Sequence, residues 1–158
     1  MNEKLLKLHK YFKSLSPTKY VIISTIMGKL INLSFLPIVA LYMKYIGPLG
    51  GMNENGTQTL DMFLYIVILA PIVETFLFQL GIIRVLQVFL KINNKKILIL
   101  ISSIVFALPH TYSPLYIFIM FFHGLIYAYS FIIYDDKEYH PYLIVTLMHS
   151  LSNLIAFL

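Results

Sequence analysis

A carboxylate, two imidazoles and a carboxamide sit inside apolar stretches of this chain. Glu74 lies in APIVETFLFQ, His110 ends FALPH, and His149 and Asn153 fall in LMHSLSN. Together they are the parts of a hydrolytic site. A carboxylate can take a proton from an attacking water, an imidazole can orient that water, and N–H groups can donate to a developing oxyanion. The same donors can also hold Zn²⁺ with water in an open position, through Glu74, His110 and His149, so a metal stays open on the residues alone. No HExxH is present, which excludes a zincin arrangement. Each residue taken singly has a plainer use. An intramembrane His or Asn commonly bonds one helix to another, and a lone Glu can relay protons or bind an ion.

The composition decides what kind of scaffold must hold them. Of 158 residues, 59% are hydrophobic and 12% charged, with a mean hydropathy of +0.80. A soluble domain carries about twice that share of charge. These proportions exclude a disordered chain, a coiled coil, a disulfide scaffold and a large soluble enzyme, and they fit a small polytopic membrane protein. There is no cysteine, so thiol chemistry and CxxC metal sites are absent. The net charge is +5, with Lys4, Lys7, Lys10, Lys13 and Lys19 all ahead of the first long apolar run. Lysines that border lipid-like segments point to an anionic membrane surface as the partner, and away from nucleic acid.

Residues 1–19 read as a basic amphipathic segment on the membrane surface. Leu5, Leu8, Phe12 and Leu15 recur at helical spacing with lysines between them. Residues 20–158 read as one transmembrane helical domain, giving an all-α, polytopic bundle of about five spans. The spans are expected at about 20–46, 62–90, 97–112, 114–134 and 141–158. The second exceeds the ~20 residues a bilayer needs, so it should protrude, bend at Pro71 or turn near Gly81. Helices are required because lipid offers backbone groups no partner, and the continuous apolar runs do not alternate as barrel strands would. Lys91, Lys95 and Lys96 join the N-terminal lysines on the cytoplasmic side, and the lysine-free loop 47–61 faces outward.

This topology places the four polar residues at one depth. At about 1.5 Å per residue, His149 and Glu74 lie roughly 12 Å from the cytoplasmic face and His110 roughly 20 Å, all in a middle layer within about a turn. His149 and Asn153 are i and i+4 and share a helix face. Placing an ionisable group there costs roughly 2.5–3.5 kcal/mol on insertion scales. Coincidence at one depth therefore favours a shared, water-bearing cavity over four separate structural uses. His123 reads as a packing or hydrogen-bonding residue. Lys29 either snorkels or lines the cavity.

The three segments resemble the motifs of the CAAX protease and bacteriocin-processing (CPBP, or Abi) family of intramembrane endopeptidases, EExxxR, FxxxH and HxxxN/D in that order. FxxxH is intact as Phe106–His110 and HxxxN as His149–Asn153. In the first motif Glu74 matches the first Glu, while Thr75 and Gln79 replace the second Glu and the Arg. The resemblance covers about residues 60–158 and implies a helical catalytic core. It implies Glu74 as the base, His110 as the group orienting the water, and His149 and Asn153 as oxyanion donors. The substrate would be a peptide or a membrane-linked protein, and bacterial members tied to bacteriocin maturation or self-immunity make the bacterial plasma membrane the expected setting. Family members are often described as metalloproteases, yet the same residues support a metal-free glutamate mechanism, which is preferred here, with Zn²⁺ as the other possibility. Thr75 and Gln79 keep the four-residue spacing of the lost ion pair, and a neutral hydrogen-bonding pair is expected in its place. The competing reading is a catalytically inactive immunity or membrane-interaction protein on the same scaffold. A small transporter or channel subunit is disfavoured, because no related halves are visible.

Overall fold

The computed structural model describes residues 3–51 and 58–158, and every regular element among them is helical. Six helices follow in order: α1 (Glu3–Ser14), α2 (Pro17–Tyr45), α3 (Leu60–Val88), α4 (Lys95–Ala107), α5 (Pro114–Asp135) and α6 (Pro141–Phe157). The all-α, polytopic bundle expected from the sequence is the architecture found. Residues 52–57 of the 47–61 loop, and the side chain of Leu5 in the amphipathic pattern, lie outside the described residues.

Three helices, α2, α3 and α5, are long and apolar enough to cross a bilayer, and α6 adds 17 apolar residues. The third expected span is shorter than 97–112. Its helix has 13 residues, and 109–113 lie outside regular helix. Pro109 accounts for the stop, because it brings no N–H to carry the ladder past Leu108, whose own backbone is still helical. Proline also opens three helices at their first turn, Pro17, Pro114 and Pro141, where the missing N–H has no partner to lose. The membrane-facing surface is apolar: Leu30, Leu33, Leu36 and Leu41 of α2 are each more than half exposed. Such a belt matches lipid as its solvent, so the protein is an integral membrane protein.

Side-chain contacts fix which connections share an end of the bundle. At one end Arg84 pairs with Asp135, Lys95 meets Asp136 at 2.6 Å, and Lys137 donates to the Leu15 carbonyl. Helix α1 is held at this end by buried Phe12, against Tyr20, and by His9, bonded to the Tyr129 hydroxyl at 2.9 Å. His9 therefore has a tertiary partner. At the opposite end Ser113 donates to the Leu49 carbonyl at 2.7 Å, and Gln58 donates to the Phe157 carbonyl. Helices α5 and α6 occupy the centre. Helix α5 packs on α2, α4 and α6, and α6 packs on α2, α3 and α5. The α4–α5 crossing is the closest. A Cβ on Gly124 would stand 2.8 Å from Ser103 Cα and 2.9 Å from its carbonyl oxygen.

Helix α3 runs unbroken through both positions where a bend was expected, but its backbone ladder widens twice, over Leu64–Leu69 and Thr75–Gly81. These π-helical stretches, with bonds five residues apart, flank Glu74. The first has a specific cause. Ala70 N–H reaches back to the Tyr65 carbonyl, so the Ile66 carbonyl would next take the N–H of residue 71, which is proline. Asn153 of α6 supplies the missing donor, its Nδ2 lying 2.8 Å from the Ile66 oxygen. Two more α3 carbonyls accept from neighbouring helices, Ile72 from Tyr142 Oη at 3.0 Å and Phe78 from Ser102 Oγ at 2.7 Å.

Two stability outcomes follow. Gly124→Ala must push α4 away from α5, and overpacking of this kind costs about 1–3 kcal/mol; thermal unfolding in detergent should show a lower midpoint. Asn153→Leu leaves the Ile66 carbonyl without a donor, a loss of about 1–3 kcal/mol. Pro71→Ala restores a backbone N–H at residue 71, so the double variant should recover most of that loss. Additive losses in the double variant would contradict the pairing.

Candidate active site

Helices α2 to α6 and the turn after α4 line a cavity of about 760 Å³. Glu74 enters from α3 between the two widened stretches. His149 and Asn153 come from the inner face of α6, and His110 comes from the turn after α4. The four residues singled out in the sequence thus line one space. Glu74 Oε2 lies 3.7 Å from His110 Nε2 and 3.8 Å from His149 Nε2. That oxygen is buried and makes no hydrogen bond, and no Lys or Arg among the described residues pairs with Glu74.

The position of His110 follows from the end of α4. In a continued helix the Phe106 carbonyl would accept the N–H of residue 110. That N–H goes instead to the Ala107 carbonyl at 3.0 Å, and the His110 side chain takes its place, with Nδ1 at 2.8 Å from the Phe106 oxygen. The carbonyl can only accept, so Nδ1 carries the hydrogen, and when the ring is neutral Nε2 is bare towards Glu74. Glu74 Oε2 and that nitrogen are then two acceptors 3.7 Å apart, and a water beside the pair on the cavity side could donate to both.

Phe106, the first residue of FxxxH, does more than hold a place in a motif. It is buried, and its ring meets His110, His149, Tyr127 and Phe78 at centroid distances of 4.9, 5.7, 5.6 and 5.9 Å. His149 is buried between Phe106 and Tyr127, whose ring lies 4.8 Å away, so its imidazole plane is fixed by packing. Its Nδ1 has no hydrogen-bond partner. Asn153 lines the cavity while one amide hydrogen is engaged by the Ile66 carbonyl, which leaves the other for a ligand. Sequence reasoning did not single out Tyr116 or Tyr127. Tyr116 stacks on His110 at 6.2 Å, and both tyrosines line the cavity. In a chain with 12 tyrosines, type alone could not mark these two.

Four outlying residues fall into three cases. Thr75 and Gln79 are both fully buried, but neither Thr75 Oγ1 nor the Gln79 amide makes a hydrogen bond, so they do not form the neutral bonded pair expected in place of the lost ion pair. The reason lies in the second widened stretch, which begins at Thr75 and alters the four-residue register between them. His123 acts as a hydrogen-bonding residue, its Nε2 lying 2.7 Å from Asn32 Oδ1. Lys29 lines the cavity.

Zinc makes a tighter demand on the same donors. Ligands at about 2.0–2.2 Å in tetrahedral array stand roughly 3.4 Å apart, closer than the two Glu74–His separations. Among the described residues no group of three or more His, Asp or Glu is arranged to hold a metal ion. The residues as placed do not fit the zinc set considered from the sequence.

Comparison with known proteins agrees with the geometry at the level of family. No curated protein and no solved structure matches the chain. A family model, Type II CAAX prenyl endopeptidase Rce1-like, matches residues 56–155. That stretch is more than half of the chain, runs from before α3 into the last turn of α6, and contains Glu74, His110, His149 and Asn153. The chain belongs to the type II CAAX prenyl endopeptidase Rce1-like family.

Proposed function

We propose that this protein is an intramembrane endopeptidase that hydrolyses a peptide bond with a water activated by Glu74 and without a metal. The observation that carries the reading is the convergence of Glu74 Oε2 with the Nε2 atoms of His110 and His149, at 3.7 and 3.8 Å, on one cavity among membrane-spanning helices. The substrate is a peptide or a membrane-linked protein, in keeping with the family.

In the proposed reaction a water donates one hydrogen to Glu74 and the other to His110 Nε2, which turns its lone pairs towards the substrate carbonyl. Glu74 takes the proton as the oxygen attacks carbon. The carbonyl oxygen becomes an oxyanion that accepts from His149 Nε2–H and from the free amide hydrogen of Asn153. Preorganised donors of this kind act most strongly where water is excluded. The fixed plane of His149 and the Asn153–Ile66 bond support that preorganisation, because neither donor must be oriented during the reaction. Glu74 then returns the proton to the departing amine. The basic end of the bundle, with α1 and the 91–96 loop, is placed on the cytoplasmic side.

Purified protein should cleave a membrane peptide, and Glu74→Gln should lower the rate by about 10²–10⁴-fold, the usual share of a general base. Equal rates for the two proteins would remove the catalytic assignment. The inactive-scaffold reading rests on Thr75 and Gln79. It predicts product only from a Thr75→Glu, Gln79→Arg variant, whereas the proposed role of Glu74 predicts product from the natural sequence.

Dialysis against a chelator should leave the rate unchanged. Loss of activity that returns on adding Zn²⁺ would show that these side chains close around a metal.

A further inference from the structure

The wall of the cavity supplied by α2 lies outside the family match and carries a charge that the proposed hydrolysis does not use. Lys29 is half-buried and lines the cavity, and it makes no ion pair or hydrogen bond among the described residues. It is twelve residues into a 29-residue helix, roughly 18 Å along the axis, too deep for its ammonium to reach the membrane surface at that end. An ammonium at that depth is costly unless something answers its charge.

One helical turn on, Asn32 lines the same cavity. His123 Nε2 lies 2.7 Å from Asn32 Oδ1, which engages one lone pair of the carboxamide oxygen and fixes the amide's orientation. The Asn32 Nδ2 group has no hydrogen-bond partner among the described residues, and it can only donate. Residues i and i+3 lie side by side on a helix, so an ammonium and an amide N–H₂ are neighbours with no acceptor supplied between them. Glu74, the acceptor in the cavity, belongs to the reacting end.

The geometry points to a carboxylate-recognition subsite, in which Lys29 and Asn32 bind an anionic group of the peptide whose bond is cut at Glu74. The inference rests on the endopeptidase reading for the identity of the ligand. The carboxylate is either the free C-terminus of the peptide or an acidic side chain within it. Lys29 supplies the charge, Asn32 supplies a directed hydrogen bond, and His123 is a positioning residue that holds the Asn32 amide in its donor orientation.

Binding can be separated from hydrolysis by using full-length Glu74→Gln protein in detergent. The probes are three fluorescein-labelled apolar hexapeptides: a free acid, its C-terminal amide, and the amide with one internal Glu. The free acid should bind at least about tenfold more tightly than the plain amide, a modest share of a charge-assisted contact. Adding Lys29→Met should abolish that preference while leaving the amide's affinity unchanged, and Lys29→Arg should retain it. Tighter binding of the internal-Glu peptide assigns the subsite to an acidic side chain; tighter binding of the free acid alone assigns it to the C-terminus. Equal affinities for all three peptides, or no binding of any, would overturn the subsite. If Lys29→Met does not fold, the peptide comparison in the Lys29 protein and Lys29→Arg still decides. Wild-type cleavage of the same peptides keeps the two ideas apart: acid preference without product defeats the hydrolytic reading alone, and product without preference defeats the subsite alone.

Discussion

A proline at residue 71 removes a donor from the backbone ladder of α3 at a depth where no lipid can replace it. Much of the arrangement follows from satisfying that one carbonyl. Ala70 reaches five residues back, the helix widens, and the Ile66 oxygen turns to a partner on another helix. Asn153 is that partner, and it lies one turn from His149 on the same face of α6. The bond that repairs the ladder therefore also sets the register of α6 against α3. That register brings His149 opposite Glu74. In water, a loose carbonyl could hydrogen-bond to solvent and impose nothing. Inside a bilayer the same atom becomes a constraint on tertiary structure.

The short helix α4 works by the same logic from the other side. Pro109 stops the helix, the Phe106 carbonyl is left open, and the His110 imidazole closes it. A capping interaction and the choice of tautomer become one event. The ring cannot rotate away without exposing a carbonyl, and the nitrogen that faces Glu74 is the one without a hydrogen. Two prolines, each near a candidate catalytic residue, thus mark the places where the backbone ladder is interrupted and a site residue bonds a carbonyl left open.

Much of this was readable in the residues. Charge and hydropathy gave the helical membrane class. The shared depth of Glu74, His110, His149 and Asn153 gave a common cavity before any coordinates. Three things were hidden. The widened turns of α3 depend on which N–H pairs with which carbonyl, and periodicity does not encode that choice. The length of α4 was overestimated because the span was carried on to residue 112, past Pro109, which cannot donate to the helical ladder. The surroundings of Thr75 and Gln79 were misjudged because a four-residue spacing means adjacency only in a regular helix, and the widened stretch there changes the angular step.

The helix that completes the cavity, α2, is joined to the core by contacts with α5 and α6 and lies outside the stretch that defines the family. On the proposed reading, the bond-breaking machinery and the surface that greets an incoming chain are carried on separable pieces of the polypeptide. Change in one need not disturb the other. A lineage built this way can keep its reaction while exchanging a single flanking helix, and so acquire new clients without rebuilding the centre that cuts them.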